Sequence, residues 1–316
     1  MLAALFMAAA VATAPVQTFV EVPGAPGPLK GTMLAPAEGP KGPVVLILAG
    51  SGPTDRDGDN PLGVKGATYR LLAEGLAAKG VTTVRVDKRG MFASGPAAVD
   101  PNAVTVEDLA SDAHDWATKI RSETGAPCVW LLGHSEGSLV ALIAAQRPKD
   151  ICGLVLAAAP GRPLGAVIRE QLVSNPANAP VLPQALAALD ALEAGRRYDT
   201  TGMHPALLGL FHPNVQGFLI VMFRQDPAKL AAAYKGPVLI LQGDADIQVQ
   251  VADANLLAAA NPKAKLVVLP GVNHILKSGA RDRAATVANY SDPSLPLAAG
   301  VIDAIADFVK AQPGTN

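Results

Sequence analysis

A surplus of charge of either sign is missing from this chain of 316 residues. Its 26 Lys and Arg stand against 27 Asp and Glu, for a net charge of -1. No basic stripe suggests a nucleic acid or an anionic membrane surface as partner, and no acidic run suggests a solvated tail. Cysteine is scarce. Cys128 and Cys152 form no C-x-x-C pair, which excludes the zinc and dithiol spacings. Each opens an expected strand and reads as a free buried thiol, a disulfide being open only if those strands are neighbours. Internal repeats and low-complexity tracts are lacking, and no apolar run is long enough to make an integral membrane segment. Lys and Arg are absent before Lys30. The opening "MLAALFMAAAVATAP" nevertheless has the apolar stretch and small-residue end of a signal peptide, so residues 1–14 are expected to be an export leader despite the missing basic start. A cytoplasmic chain with an apolar tail is the alternative.

Apolar residues, by contrast, make up half the chain, enough for a large core. Short branched-apolar runs alternate with helical patterns. "PVVLILAG" (43–50), "VTTVRVD" (81–87), "CVWLLGH" (128–134), "CGLVLAAAP" (152–160), "PVLILQGD" (237–244) and "KLVVLPG" (265–271) read as buried strands. "YRLLAEGLAAKG", "VEDLASDAHDWATKIRSE" and "GSLVALIAAQRP" read as helices between them, and the chain closes on another. Before the first buried strand, Thr18–Val22 and Gly31–Leu34 suggest a hairpin. This pattern predicts an α/β fold with a mostly parallel central sheet covered on both faces. The alternation breaks between Gly161 and Lys235, where helical patterns and prolines gather with Phe211, Phe218 and Phe223. Residues 161–235 are therefore expected to form a helical cap inserted into a core of residues 15–160 and 236–316.

One motif carries chemistry. Gly133-His134-Ser135-Glu136-Gly137 is a G-x-S-x-G set between an expected strand and an expected helix. That context makes a tight turn whose flanks must lack bulk, lifting the serine hydroxyl to the sheet's carboxyl edge. A serine hydroxyl needs a base, and the base needs a carboxylate to orient it. Beyond Ser135 there are three histidines. His204 and His212 fall in the expected cap, while His274 follows the last strand in "LPGVNHIL". "LQGDADIQV", after the preceding strand, offers Asp244 and Asp246. His134 and Glu136 are expected to pack and hydrogen-bond beside the elbow.

"ILAGSGPTDRDGDN" (47–60) invites three other readings. A dinucleotide loop would need glycine where Asp55 stands, and no G-K-[ST] completes a P-loop. A calcium loop gains acids at Asp55, Asp57 and Asp59 but meets Asn60 and Gly66 where glycine and a bidentate acid are required. What remains is a small-residue turn that lets backbone N–H groups approach a reacting oxygen. Arg56 and Asp57 are expected either to shape the pocket mouth or to pair with each other.

With these motifs the chain resembles the α/β-hydrolase superfamily, especially its bacterial esterase/lysophospholipase-like and serine-aminopeptidase-like branch. The resemblance covers nearly all the chain after the leader. It implies a Ser-Asp-His triad of Ser135, Asp246 and His274, Asp246 being the last residue of Gly243-Asp244-Ala245-Asp246 and Asp244 the fallback. It also implies an oxyanion hole from the N–H groups of Ser51, after Gly50, and of Glu136, with Ala49 in place of the usual histidine. "VDKRGMFAS" resembles the family's D-x-R-G-x-G-x-S, but Phe92 replaces a glycine, which puts that loop's shape in question. The implied activity is hydrolysis of a small-molecule carboxylic ester through an acyl-enzyme, with no cofactor and no metal. An aminopeptidase or thioester hydrolase on the same triad, or a silent scaffold used for binding, are the alternatives. Phe218 and Met222, four apart in the cap, share a helix face that either lines the substrate pocket or seats the cap.

Overall fold

The computed structural model describes residues 14–279 and 282–312; the leader expected over residues 1–14 falls almost wholly outside them. An opening hairpin of β1 (Val16–Val22) and β2 (Leu29–Ala35) is followed by β3 (Val44–Leu48). A small excursion then carries β4 (Asp59–Asn60) and β5 (Val64–Lys65) into α1 (Thr68–Ala78) and β6 (Thr82–Val86). Next come α2 (Val106–Thr124), β7 (Val129–His134), α3 (Glu136–Ala144) and β8 (Ile151–Ala157). Five helices separate β8 from the following strand: α4 (Leu164–Val173), α5 (Leu182–Glu193), α6 (Pro205–Phe211), α7 (Pro213–Phe223) and α8 (Pro227–Ala233). The chain then runs through β9 (Val238–Gly243), α9 (Val251–Ala260), β10 (Lys265–Leu269), α10 (Arg283–Tyr290) and α11 (Val301–Ala311).

Eight strands form one sheet in the order β1-β2-β6-β3-β7-β8-β9-β10. The pairings from β6 to β10 are parallel, while β1–β2 and β2–β6 are antiparallel. Strand alternation divides the apolar residues between two cores, one on each face. Val44, Leu46 and Leu48 of β3 join α2 and α3 on one side, around Trp116. Val45 and Ile47 join α1 and α11 on the other, around Trp130 and Phe308. A third core lies within α4–α8, built on residues such as Leu189, Phe211, Met222 and Phe223. Helix boundaries follow local chemistry. Thr105 and Asp108 close a capping box at the start of α2, and Gly125 ends it at φ 73°.

Two expectations need correction. β10 is not a buried strand: it is the sheet edge, paired only with β9, and Val268 is exposed. Cys128 and Cys152 are not free thiols. β7 and β8 are adjacent with Val129 opposite Ile151, which brings the two Cα atoms to 5.1 Å, and the sulfurs are bonded. Among the described residues no single helix is long and apolar enough to cross a membrane.

Candidate active site

The turn from β7 into α3 fixes Ser135. Its backbone sits at φ 53° and ψ -121°, a strained conformation for a residue with a side chain. Both flanking glycines are required by space. A Cβ on Gly133 would lie 2.3 Å from the Gly137 carbonyl oxygen, and one on Gly137 would lie 2.2 Å from that of Leu48. The Ser135 N–H donates to the Ala157 carbonyl at 2.9 Å, locking the turn to β8.

The loops after β9 and β10 bring Asp246 and His274 together. His274 Nδ1 donates to Asp246 Oδ2 at 2.8 Å, with both side chains buried. The other donors to this carboxylate are Gln242 Nε2 at 3.2 Å and the N–H groups of Gln248 and Val249 at 2.7 and 3.0 Å. Asp244 points elsewhere and accepts from the Gly271 N–H at 2.7 Å. Ser135 and His274 line one cavity of about 250 Å³.

The loop after β3 lies against the elbow. A Cβ on Gly50 would be 3.4 Å from that of Ser135. Its position is set by a hydrogen-bond chain whose directions follow from its ends. The His274 carbonyl can only accept, so His134 Nε2 donates to it at 2.7 Å. Nδ1 of the neutral ring then accepts from the Tyr69 hydroxyl at 2.9 Å, and the Tyr69 oxygen accepts from the Gly50 N–H at 2.8 Å. Burial, reinforced by the neighbouring His274, pushes His134 down to about 4, so the ring stays neutral. Burial pushes the Tyr69 hydroxyl well above its ordinary range. Because the Gly50 N–H is committed, the next donors along this loop are those of Ser51 and Gly52.

Glu136 is buried beside Lys88, whose Nζ lies 3.6 Å from its carboxylate and donates to the Gly50 carbonyl at 2.7 Å. Burial pulls Lys88 below its ordinary value and Glu136 opposes that shift. Ser51, Lys88 and Glu136 line a second cavity of about 240 Å³ whose other wall is the α7 face, including Phe218 and Met222. Phe218 also packs on both the sheet core and the core of α4–α8. Met222 is buried within the latter.

The acid-rich turn is occupied by the protein itself. Asp55 Oδ1 accepts from the N–H groups of Asp57 and Asp59, each at 2.9 Å, and Asp59 Oδ1 accepts from that of Ala67. Among the described residues no group of three or more His, Cys, Asp or Glu is placed to hold a metal. Arg56 and Asp57 do not pair with each other: Arg56 binds Asp87 and Asp57 binds Arg85. Phe92 takes φ 45° and is 45% exposed, so the loop keeps a glycine-like backbone without the glycine.

Tyr69, Lys88 and Gln242 were not singled out by sequence. Tyr69 sits in an ordinary helical pattern, and Gln242 in an apolar strand gave only the weak signal of a polar residue where none is needed. Lys88, at a strand's carboxyl end, carried the clearest hint.

Known proteins share the arrangement of strands and helices described above. GrgF, an α/β hydrolase from Penicillium sp. sh18, superposes with a TM-score of 0.60 at 18% identity, covering 94% of this chain and 99% of that one. The chain has the α/β-hydrolase fold. The family model for serine aminopeptidase, S33, matches residues 62–191. Esterase EstD of Thermotoga maritima is 29% identical over 251 residues, which are 76% of this chain. The chain spans 57% of that relative's length. A thermophilic esterase from Thermogutta terrifontis superposes with a TM-score of 0.52 at 22% identity, over 82% of this chain and 92% of that one.

Proposed function

We propose that this α/β-hydrolase cleaves carboxylic esters through an acyl-enzyme on Ser135. The observation that carries the reading is the buried Asp246 carboxylate on His274 Nδ1, in a cavity that Ser135 also lines. Asp246 fixes the ring so that Nε2 is the basic nitrogen. His274 accepts the Ser135 proton as Oγ adds to the acyl carbonyl. The N–H groups of Ser51 and Glu136 stabilise the oxyanion, each contributing roughly 3 kcal/mol in the transition state. His274 then protonates the leaving alcohol, and water repeats the cycle on the acyl-enzyme.

Ester rather than aminopeptidase chemistry is favoured by charge. A free substrate amine needs an acidic partner. Among the described residues lining the two cavities the one carboxylate is Glu136, and Lys88 already neutralises it. Similarity to esterases points the same way. The Cys128–Cys152 bond supports an exported chain, because disulfides persist in oxidising compartments.

A fluorophosphonate probe, p-nitrophenyl esters and aminoacyl-nitroanilides together test the proposal. Ser135→Ala should abolish labelling and ester turnover with unchanged circular dichroism. Asp246→Asn should cost orders of magnitude in kcat and Asp244→Asn far less. Retained turnover in the serine variant, or faster anilide than ester cleavage, would overturn it.

A further inference from the structure

The two cavities differ in chemistry, and the triad's geometry orders them along the substrate. His274 lines the first and not the second, whereas Glu136 and Phe218 line the second and not the first. Ser51 belongs to both, which places the reacting carbonyl at their junction. A leaving group must lie within reach of the imidazole that protonates it. The alcohol therefore occupies the cavity lined by His274, and the acyl chain occupies the one under α7.

The acyl side holds Lys88, Arg89 and Glu136 but is lined mainly by apolar side chains and, at about 240 Å³, is smaller than a typical drug-sized pocket, which suits a short or medium chain. The alcohol side has a different lining. It contains no Lys, Arg, Asp or Glu among the described residues, so it offers no counter-charge to a charged alcohol. It is instead rich in hydroxyl and amide groups: Thr54, Asn60, Thr68, Gln248 and Tyr290. Thr54 and Thr68 each donate their hydroxyl proton to a backbone carbonyl, of Ser51 at 2.9 Å and of Ile275 at 3.2 Å. The Thr68 oxygen is left to accept, while that of Thr54 already accepts from Asn60 Nδ2 at 3.3 Å. Gln248 donates from Nε2 to the Tyr290 hydroxyl at 3.0 Å, which fixes the amide with its oxygen as an acceptor. With Thr68 and Gln248 as acceptors in a lining that is neutral among the described residues, this cavity matches an uncharged ligand carrying O–H donors.

Resting on the ester-hydrolase reading above, we propose that the cavity beside His274 is a subsite for a neutral polyhydroxylated alcohol, so that the substrate class is short- or medium-chain acyl esters of polyols such as glycerol or a sugar. A simple alkyl alcohol leaves the acceptors without the donors they met in water, and a cationic alcohol finds no anion.

The test measures kcat/KM on 1-butyrylglycerol, n-butyl butyrate and butyrylcholine, with fluorophosphonate labelling of Ser135 alongside. The glycerol ester should be preferred over both others by roughly tenfold. Gln248→Leu should cut the glycerol-to-butyl ratio severalfold without moving the butyrate-to-octanoate ratio of glycerol esters. Phe218→Ala should do the reverse, raising octanoate relative to butyrate at an unchanged alcohol ratio. Preference for the butyl or choline ester, or a Gln248→Leu effect on acyl length instead of alcohol, overturns the subsite while labelling and turnover leave the hydrolase reading standing. No labelling and no turnover of any ester overturns both.

Discussion

Acidification should destabilise this protein through one buried ring. His134 links Tyr69 to the His274 carbonyl, and burial holds it at about 4 against an ordinary 6.5. Between those values the unfolded chain binds a proton that the folded chain refuses. Stability is therefore full above about pH 6.5 and falls as the pH drops towards 4. At about 1.4 kcal/mol per pH unit, the loss attributable to His134 by pH 4.5 is roughly 2 to 3 kcal/mol. His134→Gln keeps a donor and an acceptor but cannot titrate. Urea unfolding followed by fluorescence of Trp116 and Trp130, both buried in the native state, gives the stability at pH 7.5 and 4.5. The wild type should lose more than the variant by that margin, all other titrating groups being common to the two. Parallel losses in both proteins would refute the argument and place the acid sensitivity elsewhere.

Lys88→Met leaves the Glu136 carboxylate buried without its cation, which should cost about 3 to 5 kcal/mol in urea unfolding; adding Glu136→Gln should recover part of that loss, and an unchanged midpoint in the single variant would contradict the pairing. Phe92→Gly relieves a left-handed backbone at φ 45°. The relief of about 1 to 2 kcal/mol exceeds the added unfolded-state entropy of about 0.5 to 1 kcal/mol, so the urea midpoint should rise slightly; a clear fall would mean that the exposed ring is making contacts worth more than the strain.

Much of the fold was legible because the sheet is buried on both faces. Runs such as Val44–Leu48 have no polar face to hide, and turn residues mark their ends. The same rule misled at Lys265–Leu269, where an apolar run is as compatible with an edge as with the interior. The two-residue strands β4 and β5 have no periodicity to detect. In the site, Ser135 and His274 stood out because each sits at a strand end. The residues that hold them in register come from distant segments. Tyr69 is 65 residues from His134, and His134 is 140 from the His274 carbonyl it meets. No local pattern records such a pairing. The cysteine pair failed for a related reason: its answer depended on which strands are neighbours.

The Cys128–Cys152 bond closes a ring of chain with a sequence separation of 24, and inside that ring lie β7, Ser135 and α3. Ser135 is thus carried on a covalent hoop rooted at the amino ends of two adjacent strands. A protease that cuts the backbone anywhere between the two cysteines opens the hoop without dividing the molecule. Such a nicked protein migrates as one piece until a reductant is added and as two fragments afterwards, so a single gel with and without thiol maps whether a cut fell inside the segment that carries the serine.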